Sequence, residues 1–503
     1  MTDRQRPQLK RSIKILFSVL RCVLFLFVLL VSLCLINQAL LPKFTDESNP
    51  SWPMTSSYFR FYKMDKDSVD VLFLGSSVVE NAFDPQAIYD EYGIRSYNLG
   101  SEQQSAFLSY YWLKEALRSQ SPEAVVLDTH FLYTMHAGSA INTEDAFIRK
   151  CLDPMRLSPV KAEAVRELCR LDPSQSALSF YFTNLRYHTR WKSLTEADLV
   201  RAEYEASPLK GFGVITEPGP ERFEPFIPGN TQAAYAFDPV TAEYMDRIAG
   251  LCRENGITLI LCSLPGTNMD DGLHNSLNAF ASRHGLMYLN LGTPEYYAGI
   301  GAVLPKENTV QHQNIFGAQK TSLFIGRVLA DIAGVEGARD PQYENTRAHH
   351  DHILQNARLV NTSDLADYLD LLKDCDDVVF MTSFFDVASL YTPEIYEKMQ
   401  ALGLHIDMTD RSGHSYIAIL EPGRKPVEET NKGPLTVSGS IRDHRTFYTV
   451  RSGDYKIVDF DLIDVDGRER APLHHAGLNI VVYDPVLRRV IDSVVVSPEG
   501  FMR

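Results

Sequence analysis

A serine pair at the end of an apolar run is the strongest chemical signal in the chain. Residues 70–77 read Asp-Val-Leu-Phe-Leu-Gly-Ser-Ser, so a run of strand length ends on Gly75 and is followed by Ser76 and Ser77. An α/β enzyme presents a nucleophile in this way, where a buried strand ends, the backbone turns sharply and N–H groups are free. The pattern predicts a reactive hydroxyl at the end of the first strand.

His312 supplies the base that such a hydroxyl needs. It lies 235 residues after Ser77 and opens a segment, 312–320, that has the composition of a helix. A serine becomes nucleophilic when an imidazole accepts its proton, and the fold brings the two side chains together. Glycine and serine are also common in ordinary turns at strand ends. The prediction of acyl chemistry therefore rests on the serine pair together with His312.

The elements around these residues alternate between strands and helices. The predicted strands cover 69–74, 94–99, 124–127, 258–262 and 287–291, and the predicted helices cover 85–92, 106–120, 240–255, 271–284 and 317–333. This order predicts an α/β fold with a parallel sheet covered on both faces and a ligand crevice at the carboxyl ends of the strands. Residues 134–238 interrupt the alternation, and we predict an insertion or cap there.

The 503 residues are enough for two or three domains. A second unit of mixed helices and strands follows the first, and its pattern predicts a small α/β sandwich. The predicted divisions are a cytoplasmic tail (1–14), a transmembrane anchor (15–41), a stalk (42–62), an α/β domain (63–335), a linker (336–352) and the second domain (353–503).

The N-terminal segment has the length and composition of a membrane anchor. Residues 22–41 are mainly apolar and match the thickness of a bilayer, and Arg4, Arg6, Lys10, Arg11 and Lys14 precede them. This excess of positive charge predicts a single-pass plasma-membrane protein with its N-terminus in the cytoplasm and most of the chain outside. A cleaved signal peptide is the alternative, which the long run and the lack of a clear cleavage site disfavour.

Charge and cysteine content exclude several classes of function. Residues 1–43 carry +6 and the remainder carries −21, within a net charge of −15, so binding of nucleic acid through bulk charge is disfavoured. The seven cysteines form no legible metal set or disulfide framework. His349, His350 and His352 resemble a metal cluster, but their polar surroundings predict a solvated loop, and we expect neither a metal site nor a cofactor.

Residues 69–335 resemble the SGNH (GDSL-like) hydrolase superfamily. Within it they are similar to the membrane-anchored relatives of the D-alanyl-lipoteichoic acid protein DltD and of alginate O-acetylation proteins, which often work beside a membrane-bound O-acyltransferase (MBOAT). The resemblance covers about half the chain and implies a flavodoxin-like three-layer fold. It rests on the ordered segments Val71–Ser77, Tyr97–Ser101, Tyr110–Leu117, Val125–Asp128 and His312–Ala318.

The resemblance also implies roles for individual residues. It makes Ser77 the nucleophile and His312 the base, and it implies an oxyanion hole from the N–H groups of Ser77 and Gly100. Ser76 stands where the family's Gly-Asp-Ser pattern has its aspartate. Donors of this kind stabilise the negative charge that develops on the carbonyl oxygen during acyl transfer.

Three departures from the family pattern affect the expected activity. The family usually has an aspartate three residues before the histidine, and this chain has Thr309 there. No Gly-x-Asn-Asp follows the third strand, and Val78 stands where close relatives often carry histidine. A triad without its carboxylate loses the group that orients the imidazole. Ser76, Asp128 and Asn308 are candidate supporting residues.

Residues 353–503 resemble the interleukin-like EMT-inducer domain. The matching segments are 378–386, 399–403, 414–418 and 477–484. In the usual order the last of these segments precedes the others, so the domain has the order of a circular permutation. The related stem domain of an O-mannose N-acetylglucosaminyltransferase binds glycan, and the resemblance implies a glycan-binding module here.

Together these features predict an extracytoplasmic, membrane-anchored O-acyltransferase or esterase with a serine nucleophile. The expected substrate is a cell-surface polysaccharide or a teichoic-acid-like polymer, and the expected partner is an MBOAT enzyme. The alternative is a catalytically degenerate scaffold of the same fold that binds glycan and assists such a transferase. A secreted lipase or protease is disfavoured by the anchor and by the absence of a Gly-x-Ser-x-Gly motif.

Overall fold

The computed structural model describes most of the chain in two compact units. The first unit comprises Met1–Val214 and Glu221–Glu344, and the second comprises Ile215–Pro220 and Asn345–Arg503. The described residues are 5–42, 56–132, 138–194, 208–216, 224–265, 268–300, 312–385, 387–442, 444–453, 462–469, 476–485 and 488–503.

The first unit combines five strands with helices of very different length. Its strands are β1 (Val71–Gly75), β2 (Ser96–Gly100), β3 (Ala124–Asp128), β4 (Thr258–Ser263) and β5 (Met287–Asn290). Its helices are α1 (Gln5–Leu40), α2 (Ser56–Phe61), α3 (Ser77–Ala82), α4 (Pro85–Tyr92), α5 (Ala106–Ala116), α6 (Asp145–Leu152), α7 (Pro159–Leu171), α8 (Ala177–Tyr181), α9 (Asn184–Tyr187), α10 (Pro239–Glu254), α11 (Asp271–His284), α12 (Pro294–Ile300), α13 (Ile315–Asp331) and α14 (Pro341–Glu344).

The five strands form one parallel sheet in the order β2-β1-β3-β4-β5. This is the flavodoxin-like order of a doubly wound sheet, in which the chain leaves β1 first to one side and then to the other. Ligands bind such sheets outside the carboxyl ends of the strands at this point of reversal. The carboxyl ends of β1, β2 and β3 therefore define where a site is expected.

Both faces of this sheet are buried, which explains why its inner strands β1, β3 and β4 are mainly apolar. On one face, Leu72 and Leu74 of β1 belong to a cluster with residues of α5, α10 and α11. On the other face, Val71 and Phe73 of β1 belong to a cluster with residues of α3, α4, α12 and α13. The prediction of a parallel sheet covered by helices on both faces is confirmed.

The N-terminal helix α1 is long and apolar enough to cross a membrane. The qualifying span is Lys14–Leu40, and a signal sequence at this place would satisfy the same criterion. The helix begins at Gln5, within the segment that was expected to be a cytoplasmic tail. Helix-forming residues precede the apolar run, so the helical backbone extends beyond the part that matches a bilayer.

Among its described residues, the second unit contains two antiparallel sheets and three α-helices. Its helices are α15 (Arg347–Asn361), α16 (Leu365–Leu372) and α17 (Pro393–Ala401). A six-stranded sheet has the order β15-β14-β13-β6-β7-β8, and a four-stranded sheet has the order β12-β11-β10-β9. The strands are β6 (Val378–Phe384), β7 (Ser415–Leu420), β8 (Val427–Asn431), β9 (Leu435–Ser440), β10 (Phe447–Ser452), β11 (Leu462–Val465), β12 (Arg468–Glu469), β13 (Gly477–Asp484), β14 (Arg489–Ser497) and β15 (Gly500–Met502).

The six-stranded sheet is the central layer of the second unit. Alternate residues of β6 face opposite sides, so Val379 and Met381 pack with residues of the helices while Val378 and Phe380 pack with residues of the four-stranded sheet. The unit is therefore a helix–sheet–sheet sandwich. The sequence pattern predicts a further strand at 455–463, most of which lies outside the described residues.

The segment predicted as a linker, 336–352, contains helical structure and the boundary between the two units, at Glu344 and Asn345. It contains α14 and the beginning of α15, and His350 is only 3% exposed. His350, Ile353 and Ala357 recur at helical spacing and are all buried, which stabilises a helix despite its polar composition. The solvated loop that was expected for the three histidines is likewise a helix.

Substitution of Gly75 tests whether the end of β1 has room for a side chain. Its φ is +147°, and an added Cβ would lie 2.5 Å from the Cβ of Asp128. We predict that Gly75→Ala destabilises the protein by at least about 2 kcal/mol, because strain and overpacking add. The thermal unfolding midpoint of the detergent-solubilised protein measures this.

Gly250→Ala is the matched control for that substitution. Gly250 lies inside α10, and a Cβ built on it has no heavy atom within 4 Å. This substitution is expected to stabilise the protein by about 0.5–1 kcal/mol, because alanine forms helices better than glycine does. Equal unfolding midpoints for the Gly75→Ala variant and the wild type would contradict the inference that position 75 has no room for a side chain.

Candidate active site

The turn after β1 is held by Ser76. Ser76 is the N-cap residue of α3, and its Oγ accepts a 3.4 Å hydrogen bond from the N–H of Val78. The same hydroxyl donates to Oδ2 of Asp128 at 2.9 Å, and the Ser76 N–H donates to that oxygen at 3.3 Å. The side chain of Ser76 is thus committed to the turn, and Ser77 follows as the first residue of α3.

Asp128 acts on the turn from the end of the neighbouring strand. It is fully buried, and its Oδ1 accepts a 2.9 Å hydrogen bond from the N–H of His130. Burial raises the pKa of this carboxyl, while nearby His130 and the hydrogen bonds from Ser76 act in the opposite direction. Among the described residues its hydrogen bonds go to Ser76 and His130, so its role is to fix the turn.

Two glycines allow the strand ends to approach the turn closely. Gly75 cannot carry a side chain without meeting Asp128. A Cβ on Gly100 would lie 3.0 Å from the carbonyl oxygen of Ser76 and 3.0 Å from the side chain of Val79. Gly75 and Gly100 are paired across β1 and β2, and the Ser101 N–H donates to the Gly75 carbonyl at 3.1 Å. The backbone of Gly100 therefore lies directly beside the turn that carries Ser76 and Ser77.

Ser77 and His312 lie within hydrogen-bond distance of each other. The Oγ of Ser77 is 3.0 Å from Nε2 of His312. Both residues are partly exposed, so a substrate can reach them from solvent. A base must be within about 2.6–3.2 Å of the hydroxyl whose proton it accepts, and this pair satisfies the requirement. The two residues that sequence reasoning selected for chemistry are brought together by the fold.

The residues after His312 fix the start of α13. Asn314 is fully buried and caps the helix, because its Oδ1 accepts from the N–H groups of Phe316 and Gly317 at 3.2 and 3.3 Å. Further along α13, the Oγ of Ser322 accepts from the Asp84 N–H at 2.6 Å, between α3 and α4. The helix that follows the histidine is therefore bonded to the segment that follows the serine.

Two of the sequence-predicted positions lie outside the described residues. Thr309, which replaces the family's aspartate, and Asn308, the candidate supporting residue, both belong to 301–311. The remaining predicted positions, which are Ser76, Ser77, Gly100, Asp128 and His312, all lie at the carboxyl edge of the parallel sheet or directly beside it. Asp128 lies against Ser76, as described above.

Glu80 is a residue of this region that sequence reasoning missed. It lies one turn after Ser77 on α3, is 0% exposed, and has no hydrogen-bond partner for either carboxylate oxygen among the described residues. Burial raises its pKa to about 8, Lys150 lowers it and Glu102 raises it. Lys150 is itself paired with Glu102 at 2.9 Å. Glu80 is followed by the polar Asn81, so the sequence around it gives no signal of burial.

A polar cavity lies elsewhere in the first unit, lined by residues between Gly138 and Arg186. Its volume is about 870 Å³, and its charged lining includes Asp145, Arg149, Asp172 and Arg186. Ser77 and His312 do not line it. The Ser–His pair is therefore separate from this cavity.

No family model matches the chain, and no curated protein matches it. Among solved structures, a gut microbial diltiazem-metabolizing enzyme matches with a TM-score of 0.20 and 12% sequence identity, over 55% of this chain and 49% of that chain. The chain thus spans about half the length of that enzyme. Similarity at this level carries no argument about fold or activity, so the site rests on the geometry of its own residues.

The buried Glu80 predicts a specific dependence of stability on pH. Its folded pKa of about 8 lies above its ordinary value of 4.5, so its contribution to stability is complete below about pH 4.5 and is lost as pH rises to about 8. We predict that Glu80→Gln removes this loss. Thermal unfolding midpoints from pH 5 to 8 should show the variant gaining on the wild type as pH rises.

Glu254→Gln is the matched control, since Glu254 is an exposed carboxylate at the end of α10. It separates the effect of burial from the effect of removing one negative charge. A difference between Glu80→Gln and wild type that stays constant from pH 5 to 8 would contradict a raised pKa at Glu80.

Proposed function

We propose that this chain is a membrane-anchored serine esterase or O-acyltransferase of the SGNH type. The observation that carries the proposal is the 3.0 Å approach of Ser77 Oγ to His312 Nε2 at the carboxyl edge of a doubly wound sheet. The strand order and the ordered segments from Val71 to Ala318 support an SGNH-type domain. No cofactor is required for this chemistry.

The proposed reaction has two acyl-transfer steps. His312 accepts the proton of Ser77 as Oγ attacks the carbonyl carbon of an ester, and the departing alcohol then takes that proton. The acyl group is left on Ser77. In the second step His312 accepts a proton from water or from a sugar hydroxyl, whose oxygen attacks the acyl group, and the proton returns to Ser77.

The N–H groups of Ser77 and Gly100 are the proposed oxyanion donors. Ser77 is the first residue of α3, where backbone N–H groups have no partner within their own helix. Gly100 lies against the carbonyl of Ser76, so its backbone is close to the turn that carries Ser77. Donors fixed in this way stabilise a developing negative charge without having to reorganise.

The contacts of α1 support a retained anchor over a cleaved signal peptide. Oδ1 of Asn37 accepts hydrogen bonds from Oγ1 of Thr183 and from the N–H of Asn184, each at 2.8 Å. Arg190 donates to the carbonyl of Leu40 at 2.8 Å. Removal of α1 would break all three bonds.

The side chains around these contacts suit a membrane surface. Exposed apolar residues lie beside the end of α1, where aromatic and aliphatic side chains commonly enter the interface of a bilayer. They are Leu178, Phe182, Leu185 and Trp191. With the positive charge before α1, they support an N-terminus in the cytoplasm and an extracytoplasmic catalytic domain.

The proposed substrate is an acylated or acyl-accepting polymer at the cell surface. Anchoring beside the membrane would place the serine close to such a polymer and to an MBOAT partner that delivers acyl groups. The second unit is the proposed glycan-binding module, an inference that rests on its resemblance to the interleukin-like EMT-inducer domain. These assignments of substrate and partner follow from the family resemblance and the anchor.

Labelling of the full-length, detergent-solubilised protein with a fluorescent fluorophosphonate tests the proposal. An activated serine is expected to be labelled in the wild type, and Ser77→Ala should abolish the signal. His312→Ala should reduce the labelling rate by about 10²–10⁴-fold, because it removes the general base.

His284→Ala is the matched control for loss of a histidine. His284 lies 2.8 Å from Asp246 in an ion pair of the same unit, at the end of α11, and labelling should be unchanged. Absence of labelling in a folded wild-type protein would contradict the enzyme proposal. That result would favour the scaffold alternative, in which the chain holds glycan for a membrane transferase.

A further inference from the structure

A histidine and two aspartates meet in the second unit, outside the site described above. His352 lies on α15, Asp377 directly precedes β6, and Asp484 ends β13. Nε2 of His352 is 3.1 Å from Oδ2 of Asp484 and 3.6 Å from Oδ1 of Asp377. One ligand atom from each residue lies within 4.8 Å of the other two.

Asp377 is the member of this cluster that calls for an explanation. Its side chain is 1% exposed, and neither carboxylate oxygen has a hydrogen-bond partner among the described residues. Burying a carboxylate whose oxygens accept no hydrogen bond is costly. His352 Nε2 lies closer to Asp484, at 3.1 Å, than to Asp377, at 3.6 Å. Among the described residues, Asp377 therefore lacks a close counter-charge of its own.

We propose that His352, Asp377 and Asp484 bind a divalent transition-metal cation. A cation would supply the missing positive charge and would coordinate the oxygens of Asp377. Histidine nitrogen combined with carboxylate oxygen suits zinc, iron or manganese better than calcium or magnesium, which prefer oxygen ligands alone. Tetrahedral bonds of about 2.0–2.2 Å place ligand atoms about 3.3 Å apart, and the two measured distances lie on either side of that value.

The surroundings leave room for a further ligand and for entry. His352 is 22% exposed on its side chain, so the cluster reaches solvent through this residue. We assign a water molecule to the fourth position. The metal would join α15 to the ends of β6 and β13.

The competing interpretation is a metal-free ion pair in which protonated His352 donates to Asp484. Asn356 also approaches Nε2 of His352, with its Nδ2 at 3.2 Å. A metal requires Nε2 to be deprotonated, so binding would release a proton and would weaken at low pH. Metal titration distinguishes the two interpretations, because an ion pair alone binds no cation.

The test is titration of the full-length protein, stripped with EDTA, with Zn²⁺ and with Co²⁺. We expect one equivalent of Zn²⁺ to bind by calorimetry and to raise the thermal unfolding midpoint, since a ligand that binds only the folded state stabilises it. Co²⁺ should develop visible absorption bands at the same stoichiometry. Absence of binding for both metals at concentrations up to about 1 mM would overturn the proposal.

Asp377→Asn and His352→Ala should each weaken Zn²⁺ binding by at least about tenfold, because each removes one ligand. The metal-free Asp377→Asn protein should unfold at the same temperature as the metal-free wild type or higher, because the uncompensated carboxylate is gone. A purely structural ion pair predicts the reverse. His284→Ala, which removes a histidine paired with Asp246 in the other unit, should bind Zn²⁺ like the wild type. Binding that survives both substitutions in the cluster would overturn the assignment of ligands.

Discussion

The backbone of Gly75 is the constraint on which the rest of the candidate site depends. Its positive φ ends β1 in a turn that passes directly against Asp128, where no side chain fits. Because of this turn, the Ser76 hydroxyl bonds to Asp128 and the helix that begins at Ser77 starts at the sheet edge. The buried cap Asn314 and the Ser322 bond to Asp84 then bring the His312 segment to the same edge. A hydroxyl and an imidazole thus meet although 235 residues separate them.

Hydrophobic patterning carried most of the information about the first unit. Five predicted strands and five predicted helices correspond to observed elements, and helix 271–284 has the predicted bounds because Asp270 caps its start and Gly285 follows its end. The pairing of Ser77 with His312 was predictable because the order of elements in an α/β sheet determines which loops converge. The helix predicted at 106–120 ends earlier, at Ala116, and a turn follows at 117–119. The apolar pattern alone did not mark this end.

Polar elements were harder to predict, because their stability comes from tertiary contacts. The helix through the three histidines has the polar composition of a linker, and the burial of His350, Ile353 and Ala357 becomes apparent only in the structure. Strands β8 and β9 have few apolar residues and were missed for the same reason. Glu80 and Asp377 could not be recognised as buried carboxylates from sequence, since their burial depends on distant segments. Both of these carboxylates lack hydrogen-bond partners among the described residues, which distinguishes them from Asp128.

The proposal that His312 activates Ser77 is tested most directly by a rate measurement. The rate is that of Ser77 modification by a fluorophosphonate, measured as a function of pH. The 3.0 Å contact predicts that the wild-type rate rises with a single ionisation in the range of histidine, about pH 6–7.5, and then levels off. The same measurement on His312→Ala should show no such ionisation. A wild-type rate that climbs steadily to pH 10 without levelling off, and that matches the rate of the His312→Ala variant, would contradict the account.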